Sequence, residues 1–539
     1  MKKVIAIVLA IMTTITLPAI TRVWAAAGDL DVTFGPPNGF VLLPDSDFAD
    51  MVIQPADGKI LAVGSALDNG ATFTNLIVAR FNTDGTLDSN FGTGGVVFGP
   101  ASSRGTAVAV QPDGKVVASG VMIATGEALI ARFTTDGDLD PSFGQNGLAV
   151  YSEVPTFEVA IGPGNTIVLV DFGIDFGTGA VRLFVGRLEP DGDLDQSFGD
   201  EGVVSTESGF GFDVAVLGDG RILVAGSAGD FALWRYNTNG TLDTTFGGGD
   251  GIATADFPGL SAASGMAVQP DGRIVLAGGF EDQNSSPPVP STGALARFNS
   301  DGNPDQSFDG DGKATTTVAG AEVGFSDVAL QSDGAIVAAG AVVGGPSLGD
   351  RHVLVSRFTP TGSPDSSFGT NGNVITNFPG ESAEALGVRI QSDGRVVIAG
   401  DVFFSGSDAS GLVARYNGSQ APPPPSPFNI CVQKDSLVFK FNSSTGAYEF
   451  RDCSTGFLLT GSGTVLVSPC KITIKDTGQS ANQSGGDSNN SDDGDGELDL
   501  LVKVNTCTNV GTVSLVTSSP PQSYGYTDID ITTGSCACP

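Results

Sequence analysis

Acidic residues outnumber basic ones by more than two to one in this 539-residue chain, 60 Asp and Glu against 26 Lys and Arg, so carboxylate chemistry is weighed first. The densest group is SDDGDGELD at 491–499, which sets Asp493, Asp495, Glu497 and Asp499 at alternate positions. Carboxylates so spaced on a looped backbone can converge on calcium, which takes six to eight oxygens. The EF-hand pattern fails, because Leu498 stands at the loop's glycine position and Val504 at its bidentate glutamate. Coming after the polar run GQSANQSGGDSNN, the segment is more simply a solvated loop. Calcium is thus the one cofactor the sequence offers. A Ser-His-Asp triad would have to be built around the single histidine, His352 in RHVLVSRF, whose place beside a strand suggests packing or exposure. A paired-carboxylate glycosidase or lyase needs two acids roughly 5–10 Å apart. Almost every Asp before the C-terminal segment has a turn role and no pair clearly breaks that pattern, so no catalytic residue is assigned.

Arginine and aspartate recur at a constant offset of eight: Arg80 and Asp88, Arg132 and Asp140, Arg187 and Asp195, Arg235 and Asp243, Arg297 and Asp305, Arg357 and Asp365. A seventh arginine, Arg415, has no such Asp after it, and Asp31 has no Arg before it. A fixed offset within a repeat implies a structural contact, each guanidinium meeting a turn carboxylate or turn carbonyls.

These pairs belong to a unit of about 56 residues that occurs seven times between Leu30 and Asn417. Its first phrase is a turn, LDVTFG at 30–35, LDSNFG at 87–92 and so on to PDSSFG at 364–369. The second is a small-residue apolar run broken by a tight corner, as in AVAVQPDGKVVASG at 107–120. There Pro112 presets φ, Asp113 bonds back to the backbone and Gly114 takes positive φ. The third is a short strand ending in Arg80–Phe81 or its equivalents, followed by a polar D-G or N-G segment. Four short β-runs per repeat, Gly-rich turns and no helical period predict an all-β fold, a seven-bladed β-propeller of four-stranded antiparallel blades. A linear β-solenoid is the rival, but its coils are usually shorter and seldom need three such turns.

The succession LDxSFG, VQPDGKIVVAG and ALARFNxDG is similar to the bacterial delta-60 repeat family. The resemblance covers about 390 residues, with departures in copy three (IGPGNTIVLV at 161–170) and copy four (LGDG at 217–220). It implies tandem propeller-like β-repeats on exported bacterial proteins and no established reaction.

The expected organisation is a secretory signal peptide at 1–27, a propeller at 28–417, a proline-rich linker at 418–427 and a Cys-containing β-domain at 428–539. Lys2 and Lys3 precede an apolar stretch from Val4 to Ile20, and Ala25–Ala27 offer the cleavage site. No later stretch is long and apolar enough to span a membrane, so a secreted, surface-held or periplasmic protein is expected. All six cysteines, Cys431, Cys453, Cys470, Cys507, Cys536 and Cys538, fall in the last 109 residues. In an oxidising compartment they read as up to three disulfides; zinc is disfavoured without histidine or paired CxxC spacing. This segment resembles the small Cys-containing modules that end other exported bacterial proteins. The net charge of −34 repels phosphate backbones and anionic lipid and argues against nucleic-acid partners.

Between the small-residue run and the following Arg, the number of intervening residues ranges from 8 (Gly226 to Arg235) to 18 (Gly278 to Arg297). The P-D-G corner and the Arg-to-Asp link are nearly fixed. In an up-and-down blade the variable connections share one face. That face is the predicted recognition surface, carrying Phe73, Asp171, Phe172, Glu281, Asp282, Arg351 and Phe403, although drift in unconstrained loops explains the variation equally well. The chain's first strand, near Gly39–Leu43, is free to complete the seventh blade. Three function classes follow. An exported binding or adhesion scaffold for an extracellular glycan or protein is favoured over a polysaccharide-acting hydrolase or lyase with a carboxylate pair, and over a structural matrix protein.

Overall fold

A computed structural model describes residues 26–67, 74–152, 157–174, 181–207, 209–281, 291–344, 351–404 and 409–418, and beyond 428 the backbone of the strands. Two compact units divide between Ala421 and Pro422.

The first unit is a ring of seven four-stranded antiparallel sheets. Their innermost strands are Ser46–Ile53, Ser103–Val110, Glu158–Ile161, Phe210–Val216, Leu260–Val268, Ala321–Leu330 and Ser382–Ile390, for blades 1 to 7. Each packs against its neighbours all round the ring, blade 7 against blade 1 included, so the propeller stands and the solenoid does not. Blade 7 is closed by the N-terminal strand Phe40–Pro44, which pairs with Ala409–Tyr416 in the register Phe40 to Ala414 through Pro44 to Ser410. Within each other blade, consecutive strands are neighbours. The P-D-G corners and the Arg-to-Asp links therefore lie on one face, and the variable connections on the other.

The core lies between blades. Strand residues alternate in direction, so Ile60 and Ala62 pack toward blade 7 and Leu61 and Val63 toward blade 2. Six inner strands carry a bulge at the same point, as between Phe48 and Asp50 or Phe325 and Asp327. The facing residue is then glycine: Gly64, Gly120, Gly226, Gly278, Gly340 or Gly400. A Cβ there would stand between 1.8 and 2.2 Å from a backbone carbonyl oxygen of the bulged strand. Blade 3 has Asp171 at this position, and no bulge is present among the described residues of its inner strand, Glu158–Ile161.

The Arg–Asp pairs knit the junctions. Nε of Arg80, Arg132, Arg187, Arg235, Arg297 and Arg357 donates to its Asp at 2.7–2.8 Å. Each guanidinium also lies over the buried Phe of the F-G turn, as Arg80 over Phe91 at 4.4 Å. Its Nη1 reaches a carbonyl of the next blade, as Arg80 to Thr135 at 2.6 Å and Arg235 to Ser300 at 2.6 Å. In five blades the residue after the D-G corner meets the same carboxylate: Lys59, Lys115, Arg221, Arg273 and Arg395.

The second unit contains a ten-stranded antiparallel sheet in which Asn429–Lys434 lies between Leu437–Asn442 and Ser523–Thr533. Cys431 stands on the first of these strands, and Asp499 on Leu498–Asn505. Cys453, Cys470, Cys507, Cys536, Cys538, Asp493, Asp495 and Glu497 lie outside the described residues, as does the expected signal peptide up to residue 25.

Candidate functional site in the axial cavity

Where the seven inner strands converge they enclose a cavity of about 580 Å³, to which every blade contributes. The bulges set its lining, because the extra residue (Ala49, Thr106, Phe212, Ser264, Ser326 or Leu386) reaches the cavity wall. The next position on each strand, four residues before the hairpin corner, is Asp50, Ala107, Glu158, Asp213, Gly265, Asp327 and Gly387 in blades 1 to 7. Four blades thus carry a carboxylate where three carry a small residue.

This corrects the expectation that almost every Asp of the repeats has a turn role and that no pair of acids clearly breaks the repeat pattern. Asp50, Asp213 and Asp327 sit on strands and bind across blade junctions. Asp50 Oδ2 accepts the Val108 N–H at 3.0 Å, Asp213 Oδ2 that of Met266 at 2.6 Å, and Asp327 Oδ2 that of Val388 at 2.8 Å. Each donating residue directly follows a small one, and at Gly265 a Cβ would come within 2.6 Å of the Asp327 Cα. Arg389, on blade 7, bridges the ring seam: its Nη1 donates to Asp327 of blade 6 and its Nη2 to Asp50 Oδ1 of blade 1 at 3.3 Å. The signal that locates these acids is an alignment of the seven copies by their hairpin corners.

Burial dominates the electrostatics. It raises Asp50 to about 6 in spite of Arg389 and the Val108 N–H. It raises Asp213 to about 8, with the Asp327 charge adding to the effect. Glu158 is pushed well above the usual carboxylate range by burial and then by Asp50 and Asp213. Burial opposes the Arg389 charge, but Asp327, Asp50, Asp213 and Glu158 outweigh it and keep the guanidinium protonated. At the rim, burial lifts Asp401 to about 7 although it accepts the Phe48 N–H at 2.7 Å.

On blades 3 and 4 the variable-loop end of the cavity carries an aromatic group. Phe172 stands 5.0 Å from Phe210 and 5.6 Å from Phe212, and Phe157, 43% exposed, lies 6.0 Å edge-on to Phe212. Of the residues assigned to the recognition face from sequence, Phe172 joins this group, with Asp171 beside it on Ile167–Ile174. Glu281, Arg351 and Phe403 flank variable connections on blades 5, 6 and 7 and are not brought into one cluster with it. Arg351 pairs with Glu384. Phe73 and Asp282 lie outside the described residues. His352 lies on Arg351–Phe358 opposite Val342. Among the described residues no three His, Cys, Asp or Glu gather closely enough to hold a metal ion.

The fold places the chain in the class of seven-bladed β-propellers. Residues 56–91, 111–143, 217–246, 269–308, 331–368 and 391–419 match the family described as a domain of unknown function (DUF5122) beta-propeller; the divergent copy three is passed over. No curated protein matches. Among solved structures, the chain is similar to a glucose dehydrogenase (13% identity, 57% of this chain and 96% of that one, TM-score 0.33). It is also similar to the Penicillium chrysogenum alpha-L-arabinanase complexed with arabinobiose (10% identity, 57% and 91%, TM-score 0.34). A third is the β-propeller domain of the Trilobed protease from Pyrococcus furiosus (12% identity, 66% and 92%, TM-score 0.31). Likeness at these scores carries no conclusion about ligand or reaction.

Proposed function

We propose that the protein is an exported, non-enzymatic binding or adhesion scaffold that takes an extracellular glycan or protein on the variable-loop face of its propeller. The observation that carries this reading is the Phe157, Phe172, Phe210 and Phe212 group, an apolar stacking surface at the variable-loop end of a rigid ring. The placement of the chain ends supports it. Gly28 donates its N–H to the Asn417 carbonyl at 2.8 Å on the fixed-turn face, so the segments that open and close the ring meet away from the variable connections. Export rests on the leader at 1–27 and the cysteine distribution.

The experiment is a glycan and protein array probed with the mature chain, with and without calcium, followed by two variants. Phe157→Ala and a graft of the short connection 227–232 in place of 281–292 should each weaken the ligand found. Full retention by both would mean that this face does not recognise it.

The axial carboxylates favour a second reading, a polysaccharide-acting hydrolase or lyase, since Glu158, pushed well above the usual carboxylate range by burial, lies in the field of Asp50, which stays lower at about 6, and such a split between acids is the arrangement general acid catalysis uses. Release of reducing ends from a polysaccharide panel, abolished by Glu158→Gln, would establish it.

A further inference from the structure

The axial cavity is electrically lopsided. On the side of blades 6, 7 and 1, Asp327 and Asp50 share the Arg389 guanidinium. Arg104, on blade 2 at the rim, exerts its field on Asp47 and Asp401. Across the ring from blade 7, on blades 3 and 4, Glu158 and Asp213 face the same cavity without a guanidinium or ammonium in hydrogen-bond contact. Among the described residues the carboxylate of Glu158 accepts its neighbour's Val159 N–H, at 3.2 Å, and no other hydrogen bond. Directly beside these two acids the wall is formed by Phe157 and Phe212.

We propose that this half of the cavity binds a small organic cation, a primary ammonium on an apolar stem, with the charge held by Glu158 and Asp213 and the stem lying against Phe157 and Phe212. Carboxylates supply charge-assisted acceptors for an ammonium's three donors. Aromatic rings attract a desolvated cation and cover a methylene chain. A volume of about 580 Å³ suits a molecule of this size. A compact metal ion does not fit as well, because no three acids among the described residues converge closely enough to coordinate one. Burial first and neighbouring acids second push Glu158 well above the usual carboxylate range and Asp213 up to about 8. An entering ammonium favours their charged forms, so binding expels protons and tightens as pH rises toward 8 to 9, until the amine itself begins to deprotonate. Asp50, Asp327, Arg389 and Arg104 are the other charges facing the site, and the first three are already paired.

Titration calorimetry of the mature chain with cadaverine at low salt and pH 7.5, in two buffers of different ionisation heat, tests this. Saturable binding is expected, accompanied by proton release, and pentanediol, its neutral counterpart, should give no heat. Glu158→Gln should weaken binding roughly ten-fold. Phe157→Ala, at an exposed ring whose removal leaves the fold intact, should weaken it about three-fold. Absence of cadaverine binding, equal binding of pentanediol, or unchanged affinity in both variants would overturn the proposal. The 227–232 graft separates this site from the loop-borne recognition proposed above, because it should weaken loop ligands and leave cadaverine binding unchanged.

Discussion

Nε of Arg415 donates to Oδ2 of Asp31 at 2.9 Å, although 384 positions separate the two residues. Six equivalent pairs are made within a span of eight residues; this seventh forms only when the ring closes. Arg415 also lies over Phe34 at 4.8 Å and reaches the Thr83 carbonyl, reproducing at the seam every contact of the other junctions.

Each such arginine serves its junction, so its loss is a loss of stability rather than of recognition. Arg132→Met strands Asp140, buried with only Lys115 left as cationic partner, and removes the contacts to Phe143 and the Pro190 carbonyl. A destabilisation of about 3 kcal/mol is expected. Thermal melting should fall while ligand binding below the transition is retained; unchanged melting would sink the structural assignment.

The N-terminal strand should act as a latch. Leu42 packs against the core between blades 6 and 7 and stands opposite Leu412. Leu42→Asp sets a charge there at a cost of about 2–3 kcal/mol. Hydrogen exchange should then accelerate along Ala409–Tyr416 before it does in blade 4. Uniform exchange throughout the ring would argue against a latch.

Gly278 has no room for a side chain, since a Cβ would lie 1.9 Å from the Ala262 carbonyl oxygen. Gly278→Ala has to displace the bulged inner strand of blade 5 at a cost of about 2 kcal/mol. Chemical denaturation that places the variant level with the wild type would show that the bulge is not held by this contact.

Stability should pass through a maximum near pH 5. The axial acids have folded-state values above their unfolded ones, Asp50 about 6 and Asp213 about 8, so they are protonated in the fold where the unfolded chain is ionised. Their contribution is full below about pH 4 and is lost as pH rises toward 8. The turn acids behave oppositely. Burial works against the charge of Asp305, but Ser307 and Arg297 outweigh it and hold the value down at about 2. That stability is present above about pH 4 and disappears as pH falls toward 2. Melting temperature against pH should show both limbs, and Asp213→Asn should flatten the alkaline one. A curve that rises steadily to pH 8 would contradict the burial of these carboxylates.

Much of this was legible in the repeats. P-D-G corners, Arg-to-Asp links and the alternation of small apolar residues are short-range features, and every blade but the seventh forms wholly from pairings between strands adjacent in sequence. The glycine ending six of the small-residue runs carried more than its turn-forming habit suggests: it records the bulge opposite. The basic residue after five of the D-G corners was visible too, but its partner lies a strand away and needed the folded blade.

The sequence by itself determined the blade count, the antiparallel order and the sorting of fixed and variable connections onto opposite faces, because those follow from local periodicity and turn chemistry. Only the tertiary structure decided that Asp31 answers Arg415, that Asp50, Glu158, Asp213 and Asp327 meet round one cavity, and that Arg389 neutralises one side of it. These residues come from different blades, and only closure of the ring turns their shared position in the repeat into a shared place in space.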